Sequence, residues 1–207
     1  MIATELAPLL SMLLLGFAAG VAHAFDADHL AAVSGMSSRD NGRHSLRFAV
    51  HWGLGHGLAV IVVASVVLLA GAAIPVQFSA FAESLVAWML IVIGGLSFYH
   101  LWRQHHRHDS KQGVGPSAVW VGLVHGSAGS APLLAVIPAA GMASPALGML
   151  HVLVFNFGLI TAMAGVGIAL RGGLSSLGRY HYGVQRSLQS LFAVSAMGFG
   201  VFLLLNN

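Results

Sequence analysis

Apolar residues run along this chain in long blocks, with polar residues punctuating them. Six blocks stand out, at 6–33, 48–72, 80–102, 117–140, 147–170 and 187–205. An α-helix needs about 20 residues to cross the hydrocarbon core of a bilayer, and these blocks are of that order. The pattern predicts an all-α, polytopic membrane protein of about six transmembrane helices, built as a single transmembrane domain over 1–207. The first block is long for a bilayer and its final third is polar, so this helix is expected to bend, break or tilt.

Composition points the same way. Hydrophobic residues make up 57% of the chain and charged residues 7%, and the mean hydropathy is +0.84. A soluble domain carries about 25% charged residues, which give its surface something that water will solvate. This chain has too few for that. At the N-terminus, the apolar stretch 6–22 is followed by Ala22-His23-Ala24, which mimics a signal-peptidase site. A cleaved signal has a positive n-region; here the first twenty residues hold no Lys or Arg and include Glu5, so His23 is expected to be retained.

The charges add orientation. All nine Lys and Arg residues fall in three connections or at their edges: Arg39, Arg43 and Arg47; Arg103, Arg107 and Lys111; Arg171, Arg179 and Arg186. The connections around 71–79 and 141–146 have none. Basic loops stay in the cytoplasm, which predicts a multi-pass membrane protein with both termini outside. No dense basic run accompanies the pI of about 10, so no nucleic-acid partner is expected. The absence of cysteine excludes disulfides, thiolate metal sites and CxxC redox chemistry.

The segments 1–110 and 115–207 resemble each other. Gly20-Val-Ala-His23 matches Gly122-Leu-Val-His125, and Leu30-Ala-Ala-Val33 matches Leu133-Leu-Ala-Val136. Three spans per half would orient the halves oppositely, giving a 3+3 inverted repeat with its site near the midplane on interrupted helices. Chance recurrence of small residues is the alternative.

Ionisable groups inside a span cost about 2.5–3.5 kcal/mol or more for a central charge, which makes each a functional hypothesis. Asp26 and Asp28 lie in the first block beside His23 and His29, whereas Glu5, Asp40, Glu83 and Asp109 lie at ends or in loops. Imidazole with carboxylate suits nickel, cobalt, zinc or iron. Two carboxylates also neutralise one divalent cation in a low dielectric. At about 100° per residue, His23, Asp26 and His29 form a drifting stripe while Asp28 points away from Asp26. Three arrangements stay open: one Asp coordinates, the helix unwinds, or an Asp anchors a histidine from behind. The bland alternative is a helix end wetted at the interface.

Other spans offer further candidates. His51 and His56 are about 140° apart on a straight helix, so only one can face a given site; a bis-histidine haem site is the competing account. His125-Gly-Ser-Ala-Gly-Ser130-Ala-Pro132 reads as a broken segment whose freed carbonyls line a path, or as plain small-residue packing. His151 and Asn156 are weaker candidates that also suit interhelical hydrogen bonds. The His-rich stretch from His100 to Asp109 would capture metal, but Arg103 and Arg107 repel cations, which favours an ordinary solvated loop.

His23-x4-Asp28-His29, within HAFDADHLAAVS, resembles the signature helix of the nickel/cobalt transporter superfamily. RFAVHWGLGHGLAV and GLVHGSAGSAPLLAV are similar to its smaller, UreH-like urease-accessory-type branch. The resemblance implies nickel or cobalt translocation, with His23, Asp28 and His29 in recognition and Asp26 an additional acid. The larger transporters have eight spans and usually an Arg where this chain has Ala22. A related fold that carries thiol electrons needs a cysteine pair, which is absent here.

The expectation is therefore a transporter of Ni²⁺ or Co²⁺, with a metal site drawn from His23, Asp26, Asp28, His29, His51, His56 and His125. No organic cofactor is expected, and no G-x-x-x-x-G-K-[ST] motif is present for ATP. Beyond the ion and the bilayer, the partners expected are a second copy of the chain or an accessory protein of transport or metalloenzyme maturation. The alternatives are a proton-coupled exporter of another solute and a haem-binding electron carrier. A membrane enzyme ranks last, for want of a nucleophile constellation.

Overall fold

The computed structural model describes residues 2–38, 45–71, 76–103, 115–128, 130–180 and 182–206. Eight helices and no strand occur among them: α1 (Ile2–His23), α2 (Ala27–Ser38), α3 (Ser45–Ala70), α4 (Val76–Arg103), α5 (Gly115–Gly126), α6 (Ser130–Ala140), α7 (Pro145–Tyr180) and α8 (Tyr182–Asn206). The protein is all-helical and spans the membrane repeatedly.

Among the described residues, four segments are long and apolar enough to cross unbroken: Ser45–Ala70, Ser79–Trp102, Pro145–Leu174 and Gly183–Asn206. The first predicted block is a bent pair, Ala7–His23 and Ala27–Ser34, at 53° to each other, and makes a fifth crossing if counted as one span. The bend has a local cause. The amides of Phe25 and Asp26 bond back only three residues, to Ala22 (3.0 Å) and His23 (3.0 Å), before Leu30 resumes the i−4 pattern onto Asp26 at 3.0 Å. Asp28 in the first turn of α2 favours the new N-terminus through the helix dipole.

The fourth predicted span differs from expectation. It consists of two short helices, α5 of 12 residues and α6 of 11 residues, neither sufficient alone to cross. The amides of Ser127 and Ala128 fold back onto Leu123 and His125 as α5 ends. Pro132 is the third residue of α6, where a missing N–H breaks no intrahelical bond. The fifth span, expected to close at 170, belongs to a helix that continues to Tyr180.

Glycines set the close crossings. A Cβ at Gly20 would strike the Phe155 carbonyl oxygen, and one at Gly158 the Phe17 carbonyl oxygen, where α1 runs parallel to α7. A Cβ at Gly122 would strike the Trp52 carbonyl oxygen, and one at Gly55 the Val119 carbonyl oxygen, where α5 runs parallel to α3. The spacing matches: each crossing pairs a glycine with the carbonyl three residues before the opposing glycine. A third reciprocal contact joins antiparallel α4 and α8, where Gly94 faces the Ala193 carbonyl and Gly200 the Ala87 carbonyl, each at 2.6 Å from the added Cβ.

The short helices are placed differently. α2 packs chiefly on α8 and α4, and α6 on α7 and α3. Leu14, Leu15, Leu54, Leu69, Trp88 and Trp120 point outward, while His23, His29, His56 and His125 are buried. Apolar groups facing lipid around a polar interior are what a low-dielectric solvent favours.

Candidate metal centre

The break after α1 assembles the site. His23 is the last residue of α1, His29 the third of α2, and His56 lies midway along α3. One ring nitrogen from each lies within 4.8 Å of those of the other two. All three side chains are buried, with His56 fully so. The rings of His23 and His29 meet edge to face at 4.4 Å between centroids; His56 lies 5.4 Å from His23 and 5.2 Å from His29.

His125, in the last turn of α5, joins from the other half of the chain. Its ring lies 5.6 Å from that of His29 and 5.4 Å from that of Trp52. Gly126 permits this approach, since a Cβ there would strike the His56 carbonyl oxygen. Trp52 and Phe155 wall the cluster: Trp52 stands edge to face with His29 at 4.8 Å, and Phe155 lies 5.7 Å from His23. Sequence reasoning missed both aromatic rings, for which apolar patterning offers no distinguishing signal.

The carboxylates stand behind the histidines. His23 Nδ1 donates to Asp26 Oδ2 at 2.8 Å, and His29 Nδ1 donates to Asp28 Oδ1 at 2.9 Å. Asp28 Oδ1 also accepts from the His29 backbone amide at 3.0 Å. An acceptor on Nδ1 selects the tautomer whose Nε2 carries the lone pair, and it raises the basicity of that nitrogen. Among the described residues, Nε2 of His29, both ring nitrogens of His56 and Nε2 of His125 are buried without a hydrogen-bond partner. A buried unsatisfied polar atom costs about 1–3 kcal/mol. Several such atoms on neighbouring rings of one buried cluster are the signature of a site built for an electrophile, and the donor set of His23, His29 and His56 fits a divalent transition ion.

The other sequence candidates lie apart from this cluster. His51 is half-buried and its Nδ1 donates to the Arg47 carbonyl of its own helix at 2.7 Å. His151 donates to the Met12 carbonyl at 3.1 Å, and Asn156 Nδ2 to the Val152 carbonyl at 3.0 Å. His100 is half-buried near the end of α4, its ring 6.1 Å from that of Tyr99. The rest of the His-rich stretch, 104–109, lies outside the described residues, as do Arg39, Arg43 and Lys111.

The chain is similar to the urease accessory protein UreH of Bacillus sp. (strain TB-90), with 29% identity over 170 residues, covering 75% of this chain and 74% of that protein. This similarity bears out the UreH-like resemblance carried by the three motifs. No protein-family model matches the chain. No solved structure matches it.

Proposed function

We propose that this protein moves a divalent transition-metal ion, Ni²⁺ or Co²⁺, across a bacterial cytoplasmic membrane, binding it with His23, His29 and His56. The carrying observation is the convergence of their ring nitrogens within 4.8 Å in a buried, membrane-spanning setting. Imidazole nitrogens suit nickel, cobalt, zinc and iron; the resemblance to nickel/cobalt transporters narrows that set. Similarity to a urease accessory protein fits a chain that supplies an ion for metalloenzyme maturation, with a maturation protein or a second copy as partner.

Asp26 and Asp28 hold the rings of His23 and His29 and carry the two negative charges that balance the ion. Neutralisation matters in a low dielectric, where an uncompensated charge is costly. His125 supplies a fourth nitrogen from the second half. His51, five residues nearer the start of α3, stays outside the cluster with its ring on the Arg47 carbonyl. Rings at these separations leave no slot for a flat macrocycle, which favours a bare ion over haem.

The matched glycine crossings support an inverted repeat of 1–110 and 115–207, in which α1/α7 corresponds to α5/α3. The halves then differ mainly in where α2 and α6 pack. Exchange of those two positions alternates access to the cluster, with energy drawn from an ion gradient. Uptake of radioactive nickel into proteoliposomes tests the reading. The wild-type protein accumulates nickel and His56→Ala does not; equal accumulation by both would sink it.

A further inference from the structure

Trp52 brings to the histidine cluster a polar group that binds no metal. It stands four residues before His56 on α3, so the two side chains share one face of that helix, a turn apart. The indole is fully buried, and its ring lies 4.8 Å between centroids from that of His29, 5.3 Å from that of His56 and 5.4 Å from that of His125. The backbone fixes it there, since a Cβ at Gly122 would strike the Trp52 carbonyl oxygen where α5 meets α3.

An indole Nε1–H donates and never accepts. In Trp52 it is buried without a hydrogen-bond partner among the described residues. The core cluster that Trp52 shares with Ala24, Phe48, Ala49, Leu159 and Met163 is apolar. The polar rings it meets are the three histidines, and none of their nitrogens is within hydrogen-bond reach of the N–H. A phenylalanine would build a similar wall with no donor to satisfy, whereas a buried donor left unmade carries the full cost of its desolvation. The N–H is therefore suited to a small acceptor that enters the cluster with the ion.

We propose that Trp52 holds a water ligand of the bound ion, its indole N–H donating to the water oxygen beside the histidines. This rests on the metal-site reading above. Three or four imidazoles leave coordination positions open on nickel or cobalt, and water takes such a position in open metal sites. A coordinated water spends one lone pair on the ion and keeps another for the N–H. Water is also neutral, which suits a site where Asp26 and Asp28, behind their histidines, already balance the two positive charges. An ion that keeps a water has one protein bond fewer to break on leaving, and conduction requires sites that are easy to quit.

The experiment uses purified full-length protein and three ions. With Co²⁺ bound in ¹⁷O-enriched water, the electron paramagnetic resonance lines are expected to broaden through a coordinated oxygen. With Zn²⁺, a diamagnetic ion that imidazole also suits, the indole ¹⁵N–¹H resonance of Trp52 is expected to move downfield as the N–H gains its acceptor. Trp52→Phe identifies that resonance and is expected to bind Ni²⁺ about fivefold more weakly, the net worth of one hydrogen bond. Bound Co²⁺ with unbroadened lines overturns the proposal while leaving the metal site intact. So does a Trp52 resonance indifferent to Zn²⁺, or wild-type Ni²⁺ affinity in Trp52→Phe. A protein that binds none of the three ions defeats the metal-site reading as well. Should Trp52→Phe fail to fold, Trp88→Phe/Trp102→Phe/Trp120→Phe leaves Trp52 as the one indole in the chain, because those three residues are the other tryptophans and all are exposed. The same downfield shift with Zn²⁺ is expected there, and its absence overturns the proposal.

Discussion

His23 and His29 are six residues apart, yet their rings meet edge to face at 4.4 Å between centroids. On a straight helix they would be about 9 Å apart along the axis and about 120° apart around it. Only the 53° break between α1 and α2 allows the contact. The same break places Asp26 behind one ring and Asp28 behind the other.

Removing either carboxylate should loosen the metal without abolishing the fold. Asp26→Asn and Asp28→Asn each remove the charged acceptor that fixes a histidine tautomer, and such outer partners are worth about 10–100-fold in affinity. Titration calorimetry with Ni²⁺ checks this. Affinities within twofold of wild type for both variants would place the carboxylates outside the site's chemistry.

His56→Leu should stabilise the metal-free protein while eliminating its response to nickel. Both nitrogens of His56 are buried without partners among the described residues, and relief of such atoms is worth about 1–3 kcal/mol apiece. The wild type should gain thermal stability with added nickel, by about 2.7 kcal/mol at a hundredfold excess over Kd. A thermal scan of both proteins, with and without nickel, reads both effects; a nickel-dependent shift in His56→Leu would contradict the assignment.

His51→Ala should leave nickel affinity unchanged, because its ring bonds to the Arg47 carbonyl rather than joining the cluster. Any cost should appear in flux. A fall in equilibrium affinity as large as that of His56→Ala would show that α3 turns both histidines inward.

Glycine substitutions should separate by contact rather than by position. Gly122→Ala drives a methyl into the Trp52 carbonyl and prises α5 from α3, so folded yield should fall sharply. Gly95→Ala meets open space and should stabilise α4 by about 0.5–1 kcal/mol through helix propensity. Size-exclusion profiles and thermal midpoints of the two variants, measured side by side, test this ordering.

Much of the architecture was legible because bilayer crossing is a local property. Block length and the scarcity of charge identify α3, α4, α7 and α8 without reference to any neighbour. The predicted fourth span failed as a single helix because continuous hydropathy does not report the backbone break at Ser127 and Ala128. Small residues and Pro132 marked that place as suspect without deciding it. For the site, periodicity required that HAFDADH either break or divide its labour, and the structure does both.

The sequence by itself determined the membrane bundle, the crowding of His and Asp into one segment, and the impossibility of aiming all four polar groups along a straight helix. These follow from hydropathy and a fixed angle per residue. Tertiary structure alone decided that His56 rather than His51 turns inward, that His125 arrives from the other half, and that both carboxylates stand behind their histidines. The reason is physical: a helix's own geometry fixes angles among its residues, while the face it shows to another helix depends on contacts distant in sequence. Here those contacts are Gly55 on Val119, Gly122 on Trp52 and Gly126 on His56, close approaches visible only once the helices are packed.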